Sequence, residues 1–185
     1  GITEFLPVSS TGHMILVNQL IGGEYLSPIF TNSFLIIIQL GAILSVVVYF
    51  WKDLTPFVGT KEKFVLRFRL WVKIIVGVIP AMVIGLFLDD IIDKYFMDNV
   101  TTIAITLIVY GIIFIAIEVI YKIKNIKARV RKFSELKYGT AFLIGFFQCL
   151  AMIPGTSRSG ATIIGALLLG LSRPIAAEFS FYLAI

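Results

Sequence analysis

The chain has 185 residues, 58% of them hydrophobic, with a mean hydropathy of +0.97. That apolar share exceeds the roughly 45–50% of ordinary soluble domains and predicts an all-α, polytopic integral membrane protein. The net charge of +5 would suggest nucleic acid in a soluble protein. Here the basic residues fall between apolar spans, where they read as topology signals, so no nucleic-acid partner is expected.

Taken in order, Gly1 to Leu6 is short and apolar except for Thr3 and Glu4. Pro7-Val8-Ser9-Ser10-Thr11-Gly12 breaks it, and His13 to Ile21 resumes as a short helix ending at Gly22-Gly23. The pattern predicts a helical hairpin over 1–22, folded around a polar turn. Spans are expected over 34–51, 70–88 and 100–120, with Pro80 a kink in the second. The loop 52–69 is basic, the loop from Asp89 to Asp98 is acidic, and 121–138 is the most basic stretch of all. By the positive-inside rule both basic loops are cytoplasmic and the aspartate loop is external.

A second hairpin is expected over 139–171, around Pro154-Gly155-Thr156-Ser157-Arg158-Ser159-Gly160. Its arms, Gly145 to Ile153 and Ala161 to Leu171, are too short for a hydrocarbon core of about 30 Å at about 1.5 Å per helical residue. An arginine and irregular backbone at that depth are tolerated only inside protein or beside a water-filled cavity. Small residues, helix-starting N-H groups and a guanidinium together make a cradle for phosphate. The plainer alternative is that Thr156, Ser157 and Ser159 cap the following helix while Arg158 pairs with a carboxylate. Ser172-Arg173-Pro174 then opens a further span over 175–185.

The hairpins resemble each other. Glu4 lies over Gln148, and Pro7-Val8-Ser9-Ser10 lies over Pro154-Gly155-Thr156-Ser157. The loop charges make them enter from opposite faces, which predicts two re-entrant hairpins in an inverted-topology repeat, a design best known in transporters. Meeting near the midplane, they would combine Glu4, Ser9, Ser10, Thr11 and His13 with Gln148, Gly155, Thr156, Ser157, Arg158, Ser159, Gly160 and Thr162. His13 follows Ser10 by three residues, so both can face one way. A carboxylate beside phosphate repels it unless a cation intervenes, so Glu4 argues for a divalent metal, Mg2+ or Ca2+. Glu4 could instead pair with Arg158, and Gln148 and Gln39 could serve only as structural hydrogen-bond donors. Glu178 is open between site and structure, and Cys149, the single cysteine, reads as a small core residue.

The stretches Gly1-Ile2-Thr3-Glu4-Phe5-Leu6-Pro7-Val8-Ser9-Ser10-Thr11-Gly12-His13 and Pro154-Gly155-Thr156-Ser157-Arg158-Ser159-Gly160-Ala161-Thr162 resemble the two signature motifs of the bacterial undecaprenyl-diphosphate phosphatases, the BacA/UppP family. Glu178-Phe179-Ser180-Phe181 matches the stretch that follows. The resemblance implies an enzyme of the bacterial inner membrane that hydrolyses undecaprenyl diphosphate to the monophosphate with a divalent cation. It implies recycling of the lipid carrier of cell-wall synthesis and a link to bacitracin resistance. Carried over by motif position, Glu4 is a metal or water-positioning group and Ser10 a nucleophile or phosphate ligand. His13 is then an acid/base and Arg158 the phosphate clamp. Whether serine, histidine or water attacks is open, as is a homodimer. The family has a further glutamate four residues before the one matching Glu4 and continues beyond Ile185, so this sequence reads as a fragment. The site is expected to open to the outer face. A transporter or flippase of a lipid phosphate, using the same anion site without bond cleavage, is the alternative.

Overall fold

The computed structural model describes residues 2–20, 28–57, 60–96, 100–153 and 155–185. Gly1, Gly22-Gly23 and Pro154, which the sequence places in the hairpins, lie outside them, as do Asp98 and the side chains of Asp89, Asp90 and Asp93. Among the described residues the fold is all-helical. Its α-helices are α1 (Ser10–Leu20), α2 (Pro28–Tyr49), α3 (Trp51–Leu54), α4 (Lys61–Phe96), α5 (Val100–Ile123), α6 (Tyr138–Cys149), α7 (Arg158–Leu168) and α8 (Arg173–Tyr182). Short 3-10 turns at Ile2–Glu4, Phe133–Glu135 and Leu150–Met152 complete them.

Within α4 and α5, Lys61–Leu88 and Thr101–Ile123 are long and apolar enough to cross a membrane, with mean hydropathies of 2.3 and 2.7. Only 28% and 11% of those windows are buried inside the protein. A core helix of a soluble protein would hide such surface, whereas Ile108, Ile112, Ile115 and Leu86 are all more than half exposed. The exposed apolar belt makes this a membrane protein. α4 begins inside the stretch read as a basic loop and runs on to Phe96, through the positions of Asp89, Asp90 and Asp93. Lysine, arginine and glutamate are good helix formers, so the spanning helix extends past the hydrocarbon at its basic start.

The packed half of the molecule is α4, α6, α7 and α8. α4 and α6 approach backbone to backbone: a Cβ on Gly145 would strike the Gly77 carbonyl and lie 2.9 Å from the Pro80 ring. Gly77 in turn leaves room for Leu183, whose Cδ2 would be 2.8 Å from an added Cβ. Small residues at crossings let membrane helices gain dispersion contacts that lipid cannot supply. Around this seam Ile74, Ile144, Ile164, Leu167, Phe179 and Tyr182 form a buried cluster. Phe50 and Phe133 close its end, with centroids 5.1 Å and 5.4 Å from the Tyr182 ring.

A backbone clip fixes the segment after α5 to the α7–α8 turn. Arg129 and Val130 N-H donate to the Gly170 carbonyl at 2.8 Å and 3.1 Å, and Ser172 N-H donates to Val130 at 2.9 Å. Gly170 makes the turn at φ +91°, a conformation costly for any side chain with a Cβ. Tyr121 of α5 adds a hydrogen bond from its hydroxyl to the Leu167 carbonyl, so α7 is held from both sides.

Candidate active site

Both polar turns are built the same way. Ser9 precedes α1 and its Oγ accepts the Gly12 N-H at 3.3 Å; Ser157 precedes α7 and its Oγ accepts the Gly160 N-H at 3.1 Å. Each is a serine cap closing on a glycine three residues later, which satisfies one orphan donor of the first turn. The caps therefore pair Ser9 with Ser157, one residue away from the register in which the sequences were aligned. Each turn also carries a left-handed residue, Ser9 at φ 57° and Gly155 at φ 86°. A Cβ at Gly155 would meet Thr106 Oγ1 and lie 2.8 Å from Ile103 Cα, so the second turn lies against the α5 backbone.

The turns meet. Ser159 Oγ donates to the Leu6 carbonyl at 3.3 Å and also lies 3.1 Å from Ser157 Oγ. Between them is a cavity of about 240 Å³ lined by Glu4, Ser9, Ser10 and Thr11 from one side and by Thr156, Ser157, Arg158 and Ser159 from the other. Glu4 lies close enough to Arg158 for its charge to act on the guanidinium, yet among the described residues they form no ion pair. Glu4 Oε1 is instead buried without a hydrogen-bond partner, and so is Gln148 Oε1. A buried carboxylate oxygen left unpaired beside an unpaired guanidinium is costly without a ligand. The pair is set for something that bridges it.

Not every expected residue faces this space. Gly155 and Gly160 shape the turn, Gln148 lies outside the lining, and Thr162 sits behind it. The Thr162 hydroxyl lies 2.7 Å from Ser180 Oγ, and Ser180 does line the cavity. His13 departs furthest from expectation: it is exposed and does not line the cavity with Ser10. Its Nδ1 lies 2.9 Å from the Ser9 carbonyl, which also accepts the His13 backbone N-H at 3.1 Å. A carbonyl only accepts, so Nδ1 carries the proton, and the ring braces the strained Ser9 turn. Glu178 is also outside the cavity, accepting a 2.6 Å hydrogen bond from Tyr182. Gln39, Ser180 and Thr3 line the cavity though the sequence did not mark them for the site.

A cavity of hydroxyls, one carboxylate and one arginine, in a helical membrane protein, has the donors to hold an anionic group. The comparisons narrow the class. Residues 1–185 match the family described as bacitracin resistance protein BacA, and the chain belongs to that family. It is similar to a Fusobacterium nucleatum protein named undecaprenyl-diphosphatase, 83% identical over 185 residues, all of this chain and 70% of that one. It is also similar to undecaprenyl-diphosphatase 1 of Clostridioides difficile, 54% identical over 187 residues, and to undecaprenyl-diphosphatase of Streptococcus mutans, 49% identical over 187. All of this chain and 66% of each of those two relatives are covered.

Proposed function

We propose that this chain hydrolyses the anhydride of undecaprenyl diphosphate, giving undecaprenyl phosphate and inorganic phosphate and returning the lipid carrier to cell-wall synthesis. The observation that carries the reading is the Glu4–Arg158 arrangement. Two oppositely charged groups from the two ends of the chain share one small polar cavity without pairing, as a bridging phosphate and cation require.

In this reading the Arg158 guanidinium holds non-bridging oxygens of the terminal phosphoryl group. The free N-H groups at the start of α7 add partial positive charge there. Ser157 and Ser159 fix the turn, and Thr156 adds a buried hydroxyl to the cradle. Charge that builds on the leaving and attacking oxygens meets donors already in place, the main source of rate in phosphoryl transfer. Ser10, buried and facing the cavity, is positioned to attack the phosphorus or to orient the water that does so. His13 serves Ser10 indirectly, by holding the Ser9 carbonyl.

The donor set also fits a divalent cation of the hard, oxygen-preferring kind. Among the described residues no three acidic, histidine or cysteine side chains gather. Magnesium commonly uses one or two carboxylates and takes its other ligands from phosphate and water. The orphaned Glu4 Oε1 would hold such an ion, with the hydroxyls of Thr3, Ser9 and Ser10 nearby. When bound, it supplies charge that offsets the repulsion between Glu4 and the phosphate.

The re-entrant, inverted arrangement belongs to the same proposal. α1 and α7 have 11 residues each, about 16 Å at the helical rise and half a hydrocarbon core. Both open on a serine-glycine cap, and both turns reach one cavity. The basic segments 52–69 and 121–138 also come together at one end of the molecule, in keeping with both being cytoplasmic. The bacterial inner membrane is the corresponding location.

A flippase of the same lipid would use the matching caps and the same anion clamp without cleavage, so the decisive readout is phosphate release. Arg158→Ala is expected to reduce release by about 10²–10³-fold, the usual loss when one charge-stabilising donor is removed. Unchanged release in that variant refutes the assignment, and binding without release identifies the flippase.

A further inference from the structure

The polar cavity between the two turns does not end at its polar groups. Phe5, Val46 and Phe181 line it and also line a groove of about 610 Å³ between α2 and α8, so the two spaces share a wall. In the groove α8 contributes Pro174, Ala177, Glu178 and Phe181, spaced as one face of a helix, and α2 contributes Ser45 and Tyr49 beside Val46. Ala177 is the smallest side chain on that face of α8. An aromatic row follows the groove outward. The Phe5 and Phe181 ring centroids are 6.3 Å apart, those of Phe181 and Phe50 6.5 Å, and those of Phe50 and Tyr49 4.7 Å. The row passes from Phe5, on the polar cavity, to Tyr49, which is 81% exposed at the end of α2.

Of the polar side chains in the groove, Ser45 and Glu178 are engaged elsewhere. Ser45 Oγ donates to the Ala42 carbonyl at 2.6 Å, and Glu178 accepts the Tyr182 hydroxyl at 2.6 Å. Tyr182 lines the space between the two basic segments and not the groove, so this hydrogen bond draws the carboxylate away from it. Among the described residues no cation lines the groove. An anionic headgroup finds nothing to bind there; an apolar chain finds aromatic walls.

We propose that this groove seats the first isoprene units of the substrate's polyprenyl chain, with Phe181 at its mouth and Ala177 setting its width. The assignment rests on the polar cavity being a polyprenyl-diphosphate site. A tail attached to a phosphate at Arg158 has to leave that cavity through an apolar wall, and the wall formed by Phe5, Val46 and Phe181 opens into the groove. The direction agrees with the proposed orientation. Pro174 lies at the start of α8 beside Arg173, and Tyr49 ends α2 shortly before Lys52, so the groove runs from the cavity toward the basic face. A lipid that enters by its head from the opposite face points its tail the same way.

Ala177→Phe in the full-length protein narrows the groove at a position that does not line the polar cavity. Phosphate release in detergent is compared for a C55 polyprenyl diphosphate and a single-isoprene C5 diphosphate. The preference for the C55 substrate in kcat/KM is expected to fall by about tenfold or more. The loss should appear in KM, because a tail held alike in ground and transition states contributes uniform binding. Tyr49→Ala, at the exposed far end of the groove, is expected to lower the same preference by about threefold and serves if the first variant does not fold. Equal losses on both substrates, or no loss on either, overturn the groove and leave hydrolysis standing. Native mass spectrometry of bound undecaprenyl phosphate reads the groove without turnover, so a failure of hydrolysis itself is told apart from a failure of the seat. Retention of that lipid is expected to fall in Ala177→Phe, and unchanged retention overturns the proposal. Parallel loss of bound phosphatidylglycerol also overturns it, and assigns the groove to ordinary bilayer lipid.

Discussion

At the scale of single residues, the account rests on Glu4, whose buried Oε1 has no hydrogen-bond partner among the described residues. Glu4 and Arg158 are near enough for their charges to interact and, among the described residues, form no ion pair, so removing either charge changes what a ligand between them meets. Glu4→Gln keeps the shape and is expected to lower phosphate release by about 10²-fold or more. It should also abolish the response of phosphate release to added magnesium, measured at saturating substrate. His13 gives a contrasting expectation. Because its ring holds the Ser9 carbonyl and is absent from the cavity wall, His13→Gln, which can still donate to that carbonyl, should retain much of the activity that His13→Ala loses. If His13 instead transfers protons, both variants lose activity alike and the alkaline or acidic limb of the pH profile disappears with them.

Much of the cavity lining was legible in the sequence, because charged and hydroxyl side chains stand out between apolar runs. Glu4, Ser10, Thr156 and Arg158 could be assembled from the two polar turns before any geometry was known. Gln39 and Ser180 could not, since they come from α2 and α8 and reach the cavity only through packing far apart in sequence. His13 lies off the cavity wall for a local reason. Spacing of three on a helix says two side chains can share a face, but a histidine in the first turn also has the carbonyl of the capping residue within reach.

At the scale of elements, the apolar runs gave the long helices, while the polar beginning of α4 was hidden by its charges. Lys61 to Arg69 reads as a loop by hydropathy and is helical because its residues propagate a helix well. Close approach of α4 and α6 was also out of sequence reach, since Gly77 and Gly145 are ordinary glycines until their partners are known. That seam is testable. Gly145→Leu is expected to destabilise the protein by about 1–3 kcal/mol or more through overpacking against Gly77 and Pro80. Gly139, which has nothing within 4 Å of an added Cβ, should accept alanine without loss. Thermal unfolding of both variants in detergent checks the contrast. Equal effects at the two positions would mean that α4 and α6 do not cross there.

For the whole molecule, the two basic segments converge on one cavity and the two capped turns on another, with α8 between them. The proposed orientation follows from that arrangement and from the positive-inside rule. A cysteine placed at the exposed position Lys127, in a background with Cys149 replaced by alanine, should react with a membrane-impermeant maleimide only after cells are opened. Labelling in intact cells would reverse the orientation.

The most direct test of the central claim is phosphate release from a C55 polyprenyl diphosphate by the full-length protein in detergent, with and without a chelator, beside Arg158→Ala. Release that needs the divalent cation and collapses in the variant is the predicted result. No release from a folded protein that still binds the lipid through Arg158 would contradict hydrolysis and leave the paired turns as a carrier's binding site.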